Sequence, residues 1–209
     1  MELTDNMKFN IRFASEDCIV ANDFTESLLQ LKRYYIKDNR KFASESMNKL
    51  SETILSEGSD INTLGMFLTT NPKGDIVVEV PLYLNYINVY SLYDTSLAKT
   101  ICIGEDLVEV QSIEKLKFNE KDSYFKGVTA FDEFFGVSYI KARLEQFNND
   151  EIIPTEIMFF DWKGKTLKSI VVNEKYNFFT MDKKREKLYT VNYGTEEVRE
   201  YDVKSIFSN

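Results

Sequence analysis

The sequence predicts an all-β protein, a β-propeller-like arc of about four antiparallel blades with one inserted helix near residues 42–56. Three observations lead there. Short runs of β-branched and aromatic residues recur along the whole chain, each bounded by polar turn segments. Only the stretch 42–56 carries a helical period, with Ala43, Met47, Leu50 and Ile54 on one face. A weak internal similarity relates the run from Phe67 to Val78 to that from Phe179 to Thr190 at an offset of 112 residues, and Tyr90 to Tyr201 at 111. A further strand group lies between, so each unit is about 56 residues, long enough for a propeller blade with extended connections.

The first blade group, 9–36, holds strand runs at 9–13, 18–22 and 28–36, with turns around Ser15–Asp17 and Asn22–Glu26. The helix follows, started at Ser44 or by the Asn39–Lys41 segment and stopped at Gly58, which tolerates positive φ. Its apolar stripe is expected to cover a sheet edge or neighbouring core. The second group, 62–104, contains runs 64–69, 76–80, 86–92 and 100–103, with a turn at Asn71-Pro-Lys-Gly-Asp75. Pro81 removes a ladder donor and should mark a strand end or a bulge.

The third group, 124–172, contains runs 125–130, 134–140, 157–161 and 167–172, with Asp132-Glu133 reversing the first pair and a long connection over 141–155. Asp161-Trp162-Lys163-Gly164-Lys165 supplies a polar turn with Gly available for a left-handed conformation. The fourth group, 176–207, holds runs 177–181, 188–191 and 198–201, with 203–207 as a further strand. The chain is read as one domain, residues 1–209.

Composition narrows the function. The 26 Lys and Arg stand against 34 Asp and Glu, a formal charge of −8 divided evenly between the halves of the chain. Without a basic tract there is no footing for a phosphate backbone, so nucleic acid is excluded as a partner. The longest apolar run, Ile76–Ile87, is broken by Glu79, Pro81 and Asn85, far short of the roughly 20 residues of a membrane helix, so no transmembrane segment is expected. The start Met1-Glu-Leu-Thr-Asp5 has neither a basic region nor an apolar stretch and reads as no signal peptide. Cys18 and Cys102 form no metal or disulfide pattern and read as buried thiols.

The chain contains no His, which removes His-based metal sites and Ser-His-Asp or Cys-His catalysis. No phosphate-binding, nucleophile-elbow or calcium-loop motif is present, and no cofactor or metal is expected. The adjacent acids Asp132/Glu133, Glu196/Glu197 and Glu16/Asp17 read mainly as solvated turn residues. Tyr189, Tyr193 and Tyr201 read as fillers between blades. The residues offered for ligand contact are Trp162, which can stack on a ligand, and Asp161, which can accept a hydrogen bond beside it; no catalytic residue is named.

The stretches Tyr124–Tyr139, Glu156–Lys165, Met181–Tyr189 and Val198–Val203 resemble, in content and order, the TolB-like six-bladed β-propeller family of gut Bacteroidetes, whose members are mostly uncharacterised lipoproteins. The resemblance implies radial blades of four antiparallel strands and a periplasmic or cell-surface binding protein. It also implies a shortened or partial member, since six blades of about 50 residues need about 300. An open arc would leave blade edges that another subunit covers. The leading expectation is therefore a non-enzymatic binding or scaffold protein with a protein or glycan partner, the balance lying against an enzyme. The alternative is a carbohydrate-active hydrolase or lyase using surface carboxylates and aromatics.

Overall fold

The computed structural model describes residues 8–24, 30–43, 45–50, 53–143, 145–146 and 152–204, and these build four antiparallel sheets. The first has β1 (Lys8–Phe13), β2 (Cys18–Phe24), β3 (Leu31–Lys37) and β4 (Arg40–Phe42) in that order. The second has β5 (Met66–Thr70), β6 (Ile76–Pro81), β7 (Tyr86–Ser91) and β8 (Ala98–Cys102). The third has β9 (Asp122–Ala130), β10 (Phe134–Arg143), β11 (Thr155–Asp161) and β12 (Thr166–Val172). The fourth has three strands, β13 (Phe178–Asp182), β14 (Lys187–Asn192) and β15 (Glu197–Asp202). Each is a meander of sequence-adjacent antiparallel strands, the local-contact topology that the recurring strand runs imply, with a long connection between β10 and β11.

The leading strands begin at Lys8, Met66, Asp122 and Phe178, at intervals of 58, 56 and 56 residues. β1 lies against β5, β5 against β9 and β9 against β13, so the first strands of successive sheets stand side by side. This is an incomplete propeller-like arc.

Strand alternation explains how the blades stack. In the second sheet Val78, Val80, Ile87 and Val89 face Phe125, Phe135, Val137, Met158 and Phe160 of the third in one buried cluster. The other face of the second sheet turns Val77 and Tyr90 toward Cys18 and Val20 of the first. Phe134, Ile157 and Phe159, on the remaining face of the third sheet, meet Phe179 and Leu188 of the fourth. Each fully buried aromatic or aliphatic side chain here contributes roughly 1.5–3 kcal/mol. Gly136 sets the spacing of the last pair: a Cβ there would stand 2.9 Å from Phe179 Cζ and 3.1 Å from Phe159 Cε1.

The first and second sheets differ in joining through charge. Glu79 is the one ionisable residue of β6 and lies 0% exposed on the face toward the first sheet. Both of its carboxylate oxygens accept from Arg33 Nε of β3 at 2.9 Å. Tyr90 Oη donates to Oε1 at 3.0 Å and Asn88 Nδ2 to Oε2 at 3.2 Å, while Thr100 Oγ1 donates to Asn88 Oδ1 at 2.7 Å. Burial works against the Arg33 charge, but the adjacent Glu79 carboxylate outweighs it and holds the guanidinium above its ordinary range. Burial also pushes the Tyr90 phenol well up, so it acts as a neutral donor.

Pro81 ends β6, paired with Met66, where its missing N–H breaks no central ladder. The helix is shorter than its period: α1 spans Glu45–Lys49 within the predicted 42–56. Met47 and Leu50 are buried against the first and second sheets, whereas Ile54 is 46% exposed and forms an isolated antiparallel bridge with Gln30. Pairing with the first sheet takes over there, and Thr53 accepts from Leu31 N–H at 2.9 Å. Ser44, residues 51–52 and residues 25–26 of the expected turn lie outside the described residues. So do residues 205–207 of the further strand expected at 203–207; Val203 itself follows β15 and is buried, its N–H donating to Glu186 O at 2.8 Å. A second helix, α2 (Val110–Ile113), carries no sequence signal of its own. Among the described residues no helix is long and apolar enough to cross a membrane. Cys18 is buried, Cys102 half-buried, and both are free thiols.

Replacing Glu79 with Leu takes the carboxylate away from the buried Arg33 guanidinium and is expected to lower unfolding stability by about 3–5 kcal/mol. The double variant Arg33→Met/Glu79→Leu should lose clearly less than the sum of the single variants in urea denaturation. Strict additivity would show that the pair does not couple the two sheets.

Candidate functional site

A cleft of about 820 Å³ opens between the third and fourth sheets, where the β9–β10 turn faces the β13–β14 turn. Its walls include Phe131 and Phe134 beside Asp132 and Glu133 from one turn, and Met181, Asp182 and Lys183 from the other. Phe131 and Phe134 lie tilted against each other at 4.8 Å between centroids, and Phe131 reaches Phe179 at 6.4 Å, which roots the cleft in the apolar interface.

The polar groups of this cleft divide by what already holds them. Glu133 pairs with Lys183 across the cleft. Asp182 is committed to its own turn, Oδ1 accepting from the N–H groups of Lys184 at 3.0 Å and Arg185 at 3.1 Å. The Asp132 carbonyl accepts from the Trp162 indole N–H at 3.3 Å, tying the β9–β10 turn to the β11–β12 turn.

Trp162 is thus held between core and surface. Its ring packs on Phe135 at 5.4 Å, at the margin of the cluster joining the second and third sheets. Asp161 builds the turn beneath it: Oδ1 accepts from Lys163 N–H at 2.9 Å and Lys165 N–H at 2.8 Å, and its carbonyl accepts from Gly164 N–H at 2.9 Å. Gly164 takes φ +72° there, the left-handed conformation the sequence anticipates, and a Cβ on it would stand 2.9 Å from Ile101 Cδ1. Trp162 therefore stands beside Asp132, and Asp161 shapes the loop that presents it.

The other acidic pairs separate. Asp17 accepts from Ser15 Oγ at 2.6 Å, which with Lys37 at 3.7 Å holds its carboxyl below the ordinary range. Glu197 pairs with Arg199 at 3.2 Å, and Glu196 sits at φ +56° in the β14–β15 turn. Of the three tyrosines read as fillers, Tyr201 packs against the cluster of the third and fourth sheets, but Tyr193 is 69% exposed in a turn, past the end of β14 and outside strand alternation.

The second cleft, about 330 Å³, lies over the second sheet and is lined by Tyr86, Asn88, Thr100, Val108, Glu109 and Gln111 among others. Asn88 and Thr100 connect it to the Arg33–Glu79 pair below, and burial pushes the Tyr86 phenol up to about 12. The third, about 290 Å³, lies at the opposite end of the interface between the third and fourth sheets, with Lys126, Ile140, Glu174 and Tyr176 in its wall. Burial lowers the Lys126 amine to about 8 and raises the Tyr176 phenol to about 12. Sequence reasoning missed Glu79, Arg33 and Lys126. A single charge inside the apolar run Ile76–Pro81 was the available signal for Glu79; Arg33 and Lys126 lie in mixed runs and give none.

No family model matches the chain, and no curated protein matches it in sequence. Among solved structures it is similar to a "putative 6-phosphogluconolactonase" from Bacteroides fragilis NCTC 9343, at 11% identity and a TM-score of 0.47, over 95% of this chain and 51% of that one. It is similar also to a protein of the same description from Bacteroides uniformis ATCC 8492, at 12% identity and a TM-score of 0.43, over 93% of this chain and 53% of that one. The chain spans about half the length of the solved structures it matches. Both neighbours bear an enzyme's name, and neither is named as a TolB-like lipoprotein or a scaffold. The expectation of a non-enzymatic binding or scaffold protein is corrected on that finding, together with the balance against an enzyme and the description of the chain as a TolB-like, protein-binding lipoprotein relative. At this depth of likeness the neighbours' activity remains theirs. The propeller-type arrangement of antiparallel blades stands on the sheets themselves.

Proposed function

We propose that residues 1–209 form one propeller-like domain with a carbohydrate-directed hydrolase or lyase site in the cleft between the third and fourth sheets. The observation that carries this reading is the meeting of aromatic and carboxylate side chains in a single cleft of about 820 Å³, with Phe131, Phe134, Asp132 and Glu133 in one turn. Sugar rings present apolar C–H faces and hydroxyl edges, and a cleft walled by both kinds of side chain matches that division. Asp132 and Glu133 are the acid and base of the reading, one protonating a leaving oxygen and the other taking a proton from water or from substrate carbon. Lys183 holds Glu133 from across the cleft, and Trp162, through the Asp132 carbonyl, is a positioning residue. Asp161 enters as the residue that fixes the Trp162 turn.

A glycan is the partner in this reading, and a second copy of the chain covers the ends of the arc. Among the described residues β15 has no outer neighbour, and Val198 upon it is 65% exposed; at the other end Phe13 is 69% exposed. Unpaired edges with exposed apolar side chains favour such covering.

Two measurements test these statements. Asp132→Asn and Glu133→Gln should each reduce turnover about 10²–10⁴-fold on whichever member of a chromogenic glycoside and lactone panel the protein cleaves, with the fold intact by circular dichroism. Absence of turnover on every member, or full activity in both variants, defeats the enzyme reading. Sedimentation equilibrium should give twice the chain mass, and Val198→Lys should return it to one; a monomer at all concentrations rejects the second copy.

A further inference from the structure

The ladder between β9 and β10 contains a bulge whose extra residue is Lys126. Ser138 pairs with Gly127 and Tyr139 with Phe125, so Lys126 has no opposite number. A second irregularity lies between Tyr139 and Ala142, where Lys141 takes φ +42°. Bulges bend a strand and redirect a side chain. Here the amine is carried over the ring of Tyr176, with Nζ 4.0 Å from the centroid, in the wall of the cleft of about 290 Å³.

The amine has no anionic partner among the described residues. Glu174 shares the cleft, but its Oε2 lies 2.6 Å from Arg199 Nη1 and its Oε1 accepts from Thr190 Oγ1 at 2.5 Å. The other charged side chain in the wall is Lys175, of like sign. Ile140 of β10 and Ile153 of the following connection are apolar, and Asn192 of β14 is neutral. Tyr176 donates to Ser138 Oγ at 3.0 Å, which fixes the ring on which the amine rests. Asn177 Oδ1 accepts from Tyr193 N–H at 2.7 Å, leaving its Nδ2 as a donor on the wall.

We infer that this cleft binds a small carboxylate, with Lys126 as the cation that receives it and the Asn177 amide as a neutral donor beside it. A half-buried cation facing an aromatic ring and apolar walls lacks the anion that would balance it, and a carboxylate of modest size supplies both the charge and the acceptors. The volume suits a ligand at the small end of the range for such pockets. The site is separate from the carboxylate cleft, and its test does not use the turnover assay.

The proton balance makes the inference measurable. Burial alone lowers the amine to about 8, so near that pH about half of the molecules carry a neutral Lys126. A bound carboxylate favours the charged form, so binding there draws up to about half a proton from buffer, and none well below that pH, where the amine is already charged. Benzoate serves as the probe and benzamide as its uncharged counterpart, titrated calorimetrically into the full chain in two buffers of different ionisation enthalpy. Benzoate is expected to bind in the millimolar range with proton uptake near pH 8, and benzamide at least about tenfold more weakly. Lys126→Arg should retain benzoate binding and lose the uptake, because a guanidinium stays charged, while Lys126→Met should lose at least about tenfold in affinity. Failure of benzoate to bind, equal binding of benzamide, or unchanged affinity in Lys126→Met would overturn the inference. Should Lys126→Met not fold, uptake in the unmodified chain and its loss in Lys126→Arg decide the matter.

Discussion

The second and third sheets are each covered on both faces, and that constraint governs most of what the sequence does between residues 66 and 172. Side chains alternate across a strand, so a blade with neighbours on both sides must satisfy two interfaces from one run of residues. In β6, Val78 and Val80 serve the third sheet while Val77 and Glu79 serve the first. In β11, Met158 and Phe160 look toward the second sheet and Ile157 and Phe159 toward the fourth. A register slip of one residue would move Glu79 into the apolar interface and a valine onto Arg33, so the charge pair and the apolar alternation specify the same pairing.

The interfaces are not equivalent. Between the second and third sheets the contact is aliphatic and aromatic, including the stacked pair Phe135 and Phe160 at 5.4 Å. Between the first and second it is organised by an ion pair whose carboxylate also accepts from Tyr90 and Asn88. Buried pairs add little net stability relative to apolar packing, but an unpaired member is expensive. An arrangement that separated Arg33 from Glu79 would therefore leave buried charge without this partner, which disfavours wrong pairings of the two sheets.

How far the sequence reveals this depends on which periodicity is being read. Strand existence follows from period-two patterning and from turn chemistry such as Asn71 to Asp75, where Asn71 Oδ1 accepts from the N–H groups of both Asp75 and Ile76. The blade spacing is legible because it repeats. The helix is shorter than its period, because Ala43, Met47, Leu50 and Ile54 fit a helical spacing but only Met47 and Leu50 find a core to enter, and backbone pairing with Gln30 claims Ile54. Asp161 and Trp162 were legible as a turn. Their relation to Asp132 was not, because it joins two turns 30 residues apart through a backbone carbonyl that no residue-type pattern encodes.

Lys126 shows the same limit from the opposite direction. Regular alternation along Tyr124-Phe-Lys-Gly-Val128 would place the lysine on the face opposite Phe125, as an ordinary charged strand residue. That is the face it takes, over Tyr176; the bulge instead resets the alternation beyond it, so that Val128 joins Phe125 against the second sheet. The interface between the third and fourth sheets thus ends in clefts of contrasting chemistry. The β9–β10 turn presents carboxylates beside aromatic rings, and the bulge end presents an amine over a phenol, with the acid in its wall, Glu174, already paired with Arg199. Both rest on one apolar seam, in which Gly136 lets the rings of Phe159 and Phe179 come close to the β10 backbone. A side chain at Gly136 would press on that shared support, which Thr129 Oγ1 also ties together by donating to the Phe179 carbonyl at 3.2 Å.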